Sequence, residues 1–426
     1  MLSQFVLKKI IHTIFKKTSL KKAIFITISF FSIAALISSC SKTDIASSNL
    51  SNTSTTVIDT FAATKAAFGT NIDFQNLNNY ANQGRPNYIT LDNTGSNPIT
   101  DQKATLGRIL FYDKNLSTNN TISCGSCHKQ NFAFSDTAQL SNGVEGGVTV
   151  RHSMRLVNTR FANESKFFWN ERAASLEVQT TMPIQDHAEM GFSGLNGRGN
   201  LSTLLTKLSG IKYYKEIFKA IYRDTIVTEV RIQESLAQFI RSIQSFDSKY
   251  DVGRSSVNND RDPFPNFTVN ENIGKNLFLT APTFDGSGNR VAGGVGCNGC
   301  HRAPEFAIDS NSRNNGIVGI VNGTGIEINN TRAPSLRDLV KADGSLNARM
   351  MHTGQFTSLE GVIGHYNTIP NIIGNNNLDG RLRQDGVANK LNLTPTEINQ
   401  LIAFIKTLGG TNLYTDKKWS NPFLIP

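Results

Sequence analysis

Strand-like alternation of apolar and polar residues is scarce along this chain, which argues against a β-sandwich or barrel and leaves a mostly α fold. Long apolar runs are missing too. The stretch from Ala23 to Ile37 falls short of the roughly 20 residues that a stable membrane span needs. Acidic residues are absent from the first forty positions, which hold six lysines: Lys8, Lys9, Lys16, Lys17, Lys21 and Lys22. The formal charge of +10 therefore falls to +4 once this start is set aside. What remains has no Lys/Arg cluster able to neutralise a row of phosphates, and this excludes a nucleic-acid partner.

A basic start followed by a short apolar run is the pattern of an export signal. The run ends in Ile37-Ser38-Ser39-Cys40, small residues before a cysteine, which resembles a bacterial lipobox. That resemblance implies a signal peptide over 1–40, acylation of Cys40, and a protein that is exported to the periplasm or cell envelope and lipid-anchored to a membrane. The Ser-, Thr- and Asn-rich stretch after Cys40 has too few apolar residues to offset chain entropy by burial. Residues 41–96 are accordingly expected to form a flexible tether and N-terminal extension.

Cysteine is rare, with five in 426 residues. In an oxidising compartment the default use of the remaining four would be disulfides. Their spacing says otherwise. Cys124-Gly125-Ser126-Cys127-His128 and Cys297-Asn298-Gly299-Cys300-His301 are two copies of C-x-x-C-H, the signature of covalent c-type haem attachment. The two cysteines of each copy would form thioethers to the porphyrin, and the histidine directly after them would ligate iron. A Cys₄ zinc site has no use for the trailing histidines.

The chain around the two motifs repeats. Gly107-Arg108-Ile109-Leu110-Phe111 precedes the first and Gly274-Lys275-Asn276-Leu277-Phe278 the second, as if the same helix led into each site. Ile232, Leu236, Phe239, Ile240, Ile243 and Phe246 mark an apolar helical stripe closing the first half; Ile398, Leu401, Ile402, Ile405 and Leu408 mark one closing the second. Thr394-Pro395-Thr396-Glu397 is a capping box with proline at the first helical position. The expectation is two cytochrome c-like helical haem domains in tandem, 97–262 and 263–426, meeting in the polar segment 253–270. Residues 311–330, rich in Gly and Asn, read as a long surface loop.

These residues resemble the bacterial di-haem cytochrome c peroxidases and their relative MauG. The specific stretches are Leu106 to Phe111, Phe168-Trp169-Asn170-Glu171-Arg172-Ala173, Pro183-Ile184-Gln185, Glu189-Met190-Gly191, Arg332-Ala333-Pro334-Ser335-Leu336-Arg337, and Met351-His352-Thr353-Gly354. The resemblance implies that one haem reacts with hydrogen peroxide while the other passes or stores electrons. It assigns Trp169 to the bridging position between them, and matches Gln179, Pro183 and Glu189 to the peroxide pocket. Heterolysis of a peroxide needs a group that takes a proton from the near oxygen and delivers it to the leaving one, which a partly buried carboxylate such as Glu189 can do. Gln179 would position the peroxide.

Two positions depart from the peroxidase pattern. The removable histidine ligand of ordinary members falls at or near Gly146, so the first haem is expected to keep an open coordination site unless His152 or His187 swings in. A methionine would lie fourteen residues after His352, but Tyr366 stands there, with His365 as the competing ligand. Phenolate favours higher oxidation states of iron than a thioether does, which suits the MauG branch. The resemblance also implies calcium between the domains, held by the Asn347 and Arg349 carbonyls and an asparagine side chain. That asparagine is His152 here, and imidazole is a poor ligand for a hard cation. Electrons would come from a soluble cytochrome c or another donor protein, or from side chains of a protein substrate. The alternative is a non-catalytic di-haem cytochrome that transfers electrons or senses redox state.

Overall fold

A computed structural model of the chain describes residues 60–424. The signal segment, Cys40 and the Ser/Thr-rich stretch up to 56 lie outside the described residues. In chain order the helices are α1 (Ala62–Phe68), α2 (Asp101–Tyr112), α3 (Cys124–Cys127), α4 (Leu176–Gln185), α5 (Leu201–Gly210), α6 (Lys212–Tyr222), α7 (Glu229–Ser242), α8 (Lys249–Arg254), α9 (Val269–Leu279), α10 (Leu359–Asn367) and α11 (Pro395–Lys406). Sheet among the described residues is confined to two-stranded antiparallel pairs of two to four residues a strand. No helix among them is long and apolar enough to cross a membrane.

Helix starts follow capping chemistry. Thr100, Ser175, Asn200, Thr228, Ser248, Thr268, Ser358 and Thr394 each accept, through the side chain, a backbone N–H in the first turn of the helix they precede. At α11 the box closes as the sequence predicts: Thr394 Oγ1 accepts from Glu397 N at 3.2 Å, and Glu397 Oε2 accepts from Thr394 N at 2.9 Å.

The repeated glycines explain how the helices meet. α2 crosses α7 so closely that a Cβ built on Gly107 would lie 1.9 Å from the Ser235 carbonyl oxygen. α9 crosses α11 in the same manner, with a Cβ on Gly274 lying 1.8 Å from the Gln400 carbonyl oxygen. Only glycine permits these backbone approaches. The two crossings hold α2 and α9, which lead into the two cysteine motifs, each against the helix that closes its own half.

Around them form two apolar clusters. Phe68, Tyr80, Leu106, Phe111, Leu236 and Phe239 belong to one; Tyr250, Phe264, Phe278, Phe306, Leu401 and Phe404 belong to the other. The chain passes from the first to the second between Ile243 and Tyr250, ahead of the polar 253–270 segment. The described body, 60–424, falls within one compact unit.

Three expectations change. The segment from residue 60 to 96 is not a loose extension: Phe68 and Tyr80 are fully buried, and Glu216 accepts hydrogen bonds from Ala63 N and Thr64 N at the start of α1. The C-terminal segment also leaves its own half. Leu413 and Trp419 join the first cluster, and Tyr80 and Tyr112 donate their hydroxyls to the carbonyls of Lys418 and Trp419. Finally, 311–330 is only partly a surface loop. Asn314 is fully buried, its amide donating to the Ile317 carbonyl and accepting from Gly316 N and Asn375 Nδ2, while Ile317 and Val318 are buried beside it. An asparagine side chain can satisfy backbone groups much as a strand would, so a Gly/Asn-rich stretch can be packed without being regular.

Candidate functional site

The first motif begins where α2 ends. Its cysteines occupy the single turn of α3, which Ser123 and Ser126 cap reciprocally, so Cys124 and Cys127 face the same side. The ring of Tyr112 packs against Gly125 so tightly that a Cβ there would meet it at 2.6 Å. His128 follows the turn. Its Nδ1 donates to the Phe134 carbonyl at 2.9 Å, which puts the lone pair on Nε2, the nitrogen that a metal would take. The second motif forms a comparable 3₁₀ turn, Cys297–Gly299, with His301 on the short strand after it. The His301 Nδ1 is buried without a hydrogen-bond partner.

Each motif opens into a cleft. One is lined by Cys124, Cys127, His128, Trp169, Gln179, Pro183 and Glu189. The other is lined by Cys297, Cys300, His301, Met351, His352 and Tyr366. Both are lined mainly by apolar groups, as a macrocycle requires. The four cysteines form no disulfide. Burial pushes the Cys124 and Cys297 thiols up to about 12 and those of Cys127 and Cys300 up to about 11, so they are neutral at physiological pH. Paired thiols with a histidine directly after them, at the wall of an apolar cleft, fit a covalently attached haem at both sites.

The peroxide-pocket residues assemble in the first cleft although they span eleven positions. Gln179 and Pro183 come from α4, held by its Ser175 cap, and Glu189 from the loop after it, where Asp186 accepts the Ala188 and Glu189 N–H groups. Glu189 is raised to about 7, first because burial disfavours its charge, then through Asp186, with Arg172 opposing. A carboxyl poised there is half ionised near neutrality, the condition for moving a proton in either direction.

Trp169 lines both clefts. Its Nε1 donates to the His152 carbonyl at 2.8 Å, and its own carbonyl accepts from Thr331 N and Arg332 N. His152 N in turn donates to the His352 carbonyl at 2.8 Å. The indole is thus fixed by backbone groups from both halves of the chain.

The remaining expectations sort by geometry. Gly146 is exposed, has a φ of +81°, and does not line the first cleft; neither does His187, whose Nδ1 is bonded to Ser193 Oγ at 2.8 Å. His152 lines both clefts, but its Nδ1 is held by the Ala138 and Gln139 carbonyls. In the second cleft Tyr366 contributes to the wall, whereas His365 does not and bonds through Nε2 to the Asn315 carbonyl at 2.9 Å. Burial pushes the Tyr366 phenol up. For calcium, an imidazole stands where the resemblance implies an oxygen ligand, although the Asn347 Oδ1 is buried without a partner.

Residues that periodicity and spacing did not single out also reach the clefts. Asn315 Nδ2 donates to the Tyr366 hydroxyl at 3.1 Å and lies 3.3 Å from the Met351 sulfur, so the buried part of the 311–330 segment sets the surroundings of the phenol. Arg155 and Arg332 line both clefts. Arg332 heads a stretch that stands out by resemblance alone, and Arg155 carries no sequence signal of its own.

A model of the di-haem cytochrome c peroxidase family matches residues 101–257. The methylamine utilization protein MauG of Methylophilus methylotrophus is 28% identical over 323 residues, 74% of this chain and 84% of that protein. The cytochrome c551 peroxidase of Nitrosomonas europaea is 25% identical over 336 residues, 74% of this chain and 81% of its own. Among solved structures, a MauG-like protein associated with microbial copper homeostasis superimposes with a TM-score of 0.61 at 27% identity, covering 80% of this chain and 99% of that one.

Proposed function

The chain belongs to the family of di-haem cytochrome c peroxidases and MauG proteins, and from this we propose that it is an exported di-haem peroxidase whose N-terminal haem reacts with hydrogen peroxide. The family is one of oxidoreductases carrying two c-type haems. In this reading Cys124, Cys127 and His128 hold one haem and Cys297, Cys300 and His301 the other, in tandem haem-bearing halves. Tyr366 would be a further residue holding the iron of the C-terminal haem. A bound haem supplies reversible one-electron chemistry at iron and a metal at which the O–O bond can be cleaved.

The protein's own contribution is proton handling and insulation. Glu189 accepts the proton from one oxygen of the peroxide and returns it to the other as that oxygen leaves. Gln179 orients the peroxide through its amide, and Pro183 shapes the wall beside it. Trp169, rigidly held and common to both clefts, is the electronic path between them. The observation that carries the reading is the convergence of Gln179, Pro183 and Glu189 on the cleft of His128.

Electrons are drawn from a small soluble cytochrome c or from side chains of a protein substrate. The placement of Tyr366 in the cleft wall, with His365 turned to a backbone carbonyl, favours the protein-oxidising branch. Acylated Cys40 tethers the body to a membrane in the periplasm or cell envelope. Visible and EPR spectra of the purified ferric protein, before and after one equivalent of peroxide, test the function. A high-spin five-coordinate signal that changes on addition is expected. Low-spin signals at both irons, unmoved by peroxide, would instead mark an electron carrier or redox sensor.

A further inference from the structure

Two arginines stand in the wall common to both clefts, and neither has a counter-ion. Arg155 is 7% exposed and Arg332 is 8% exposed. A buried guanidinium is costly unless it is paired and hydrogen-bonded, so buried arginines are ordinarily matched by a carboxylate. Two others in this protein are: Arg337, fully buried, contacts Asp251 at 2.9 Å, and Arg241 pairs with Glu177; Arg108, also buried and outside the clefts, is held instead by the Ser420 carbonyl and hydroxyl and the Asn71 carbonyl.

Arg155 and Arg332 form no such pair among the described residues. Arg155 donates from Nη2 to the Ser335 carbonyl at 3.0 Å, and its Nε is buried with no partner. Arg332 donates from Nη1 to the carbonyls of Glu164 at 3.3 Å and Lys166 at 2.5 Å, its guanidinium lying over the Phe167 ring at 4.3 Å. The carboxylates that attract them from a distance form no ion pair with them, although Asp338 keeps its Oδ2 without a partner. Asp338 accepts from Gly410 N and the Tyr414 hydroxyl, Glu164 from Lys166 N, and Glu171 from the Thr331 hydroxyl. Burial accordingly pulls both guanidinium groups down to about 10.

We propose that Arg155 and Arg332 form a two-guanidinium seat, between the clefts, for the propionate carboxylates of the haems. The inference rests on the di-haem reading above and assigns this chain's own side chains to the acidic edge of its cofactors. Each guanidinium keeps N–H donors that no protein acceptor takes, and these suit a planar carboxylate bound through one or two charge-assisted hydrogen bonds. Because the Trp169 carbonyl accepts from Arg332 N at 3.0 Å, the seat and the bridging tryptophan are parts of one backbone arrangement. The seat would thereby tie the position of the porphyrin to that of the path between the clefts.

The test uses the holoprotein and begins with its intact mass, since thioethers retain haem whether or not a carboxylate is seated. A chain without two added groups would overturn the di-haem reading itself. With two haems present, treatment of the native wild type with a carbodiimide and an amine should leave at least one propionate unmodified in the recovered haem peptides. Modification of every propionate overturns the seat. Arg155→Gln and Arg332→Gln should open it to modification and shift the ferric-to-ferrous ratio at fixed potential about tenfold toward ferric, about 59 mV for a one-electron couple. Arg155→Lys, which keeps the charge, should restore most of the ratio. Glutamine variants that bind two haems and keep both the labelling pattern and the ratio of the wild type would overturn the proposal. If they fail to fold, the wild-type labelling decides it.

Discussion

Replacing Glu189 with glutamine removes the titrating proton carrier while keeping the side chain's size and its capacity to hydrogen-bond. Burial and Asp186 set the Glu189 carboxyl at about 7, against 4.5 for an ordinary glutamate. The base is the ionised form, so in the wild type the bimolecular rate with peroxide should fall as pH is lowered through 7. At pH 6 only about one tenth of the carboxyl is ionised, and the rate should approach a tenfold fall per pH unit below that. The raised value also works on stability. Folding favours the protonated form, so this group's contribution is full below about 4.5 and is lost as pH rises toward 7. Glu189→Gln should therefore lower the rate by about 10²–10⁴-fold, the usual worth of a positioned acid–base group, and abolish the inflection near 7. Stopped-flow mixing with peroxide, followed at the haem absorption band across pH, measures both. A variant within about threefold of the wild type that keeps the inflection would refute the role of Glu189.

The helix crossings, the second axial ligand and the metal content give three further expectations. Gly107→Ala and Gly274→Ala should each cost about 1–3 kcal/mol of stability, because the new methyl would lie 1.9 Å and 1.8 Å from backbone carbonyls that cannot yield without moving a helix. Denaturant melts compare them with the wild type, and unchanged midpoints would mean the helices are not in such contact. Tyr366→Met should raise the potential of the C-terminal haem, since a neutral thioether favours reduced iron over a phenolate. A potentiometric titration reads this, and an unmoved potential removes Tyr366 as a ligand and turns attention to Met351 in the same cleft. Chelation of divalent cations should leave the melting midpoint and the peroxide reaction unchanged, because His152 replaces the oxygen donor that calcium needs; a fall in either would show that a bound cation matters.

Local chemistry was legible in the sequence, and long-range packing was not. The haem motifs can be read because both cysteines and the histidine sit within one helical turn, where spacing alone sets geometry. The repeated glycines before them were legible as a repeat, but their reason, a carbonyl of a helix more than a hundred residues away, emerges only from the crossing. Glu189 could be matched by type and spacing; its raised pKa depends on how deeply the loop after α4 is buried. The C-terminal return of Leu413 and Trp419 to the first cluster leaves no periodic trace, since it rests on single side chains and backbone carbonyls. Asn315 and Arg155 escaped for a related reason. Polar residues in irregular segments usually face water, and only the fold reveals that these two face the clefts.

The proposed chemistry requires two covalently bound haems per chain, one at each C-x-x-C-H motif. Mass spectrometry of the purified, unfolded protein and of its proteolytic peptides measures this directly. Two added haem masses are predicted, one on the peptide of Cys124 and Cys127 and one on that of Cys297 and Cys300. Either peptide recovered with both thiols free, or joined in a disulfide, would contradict it.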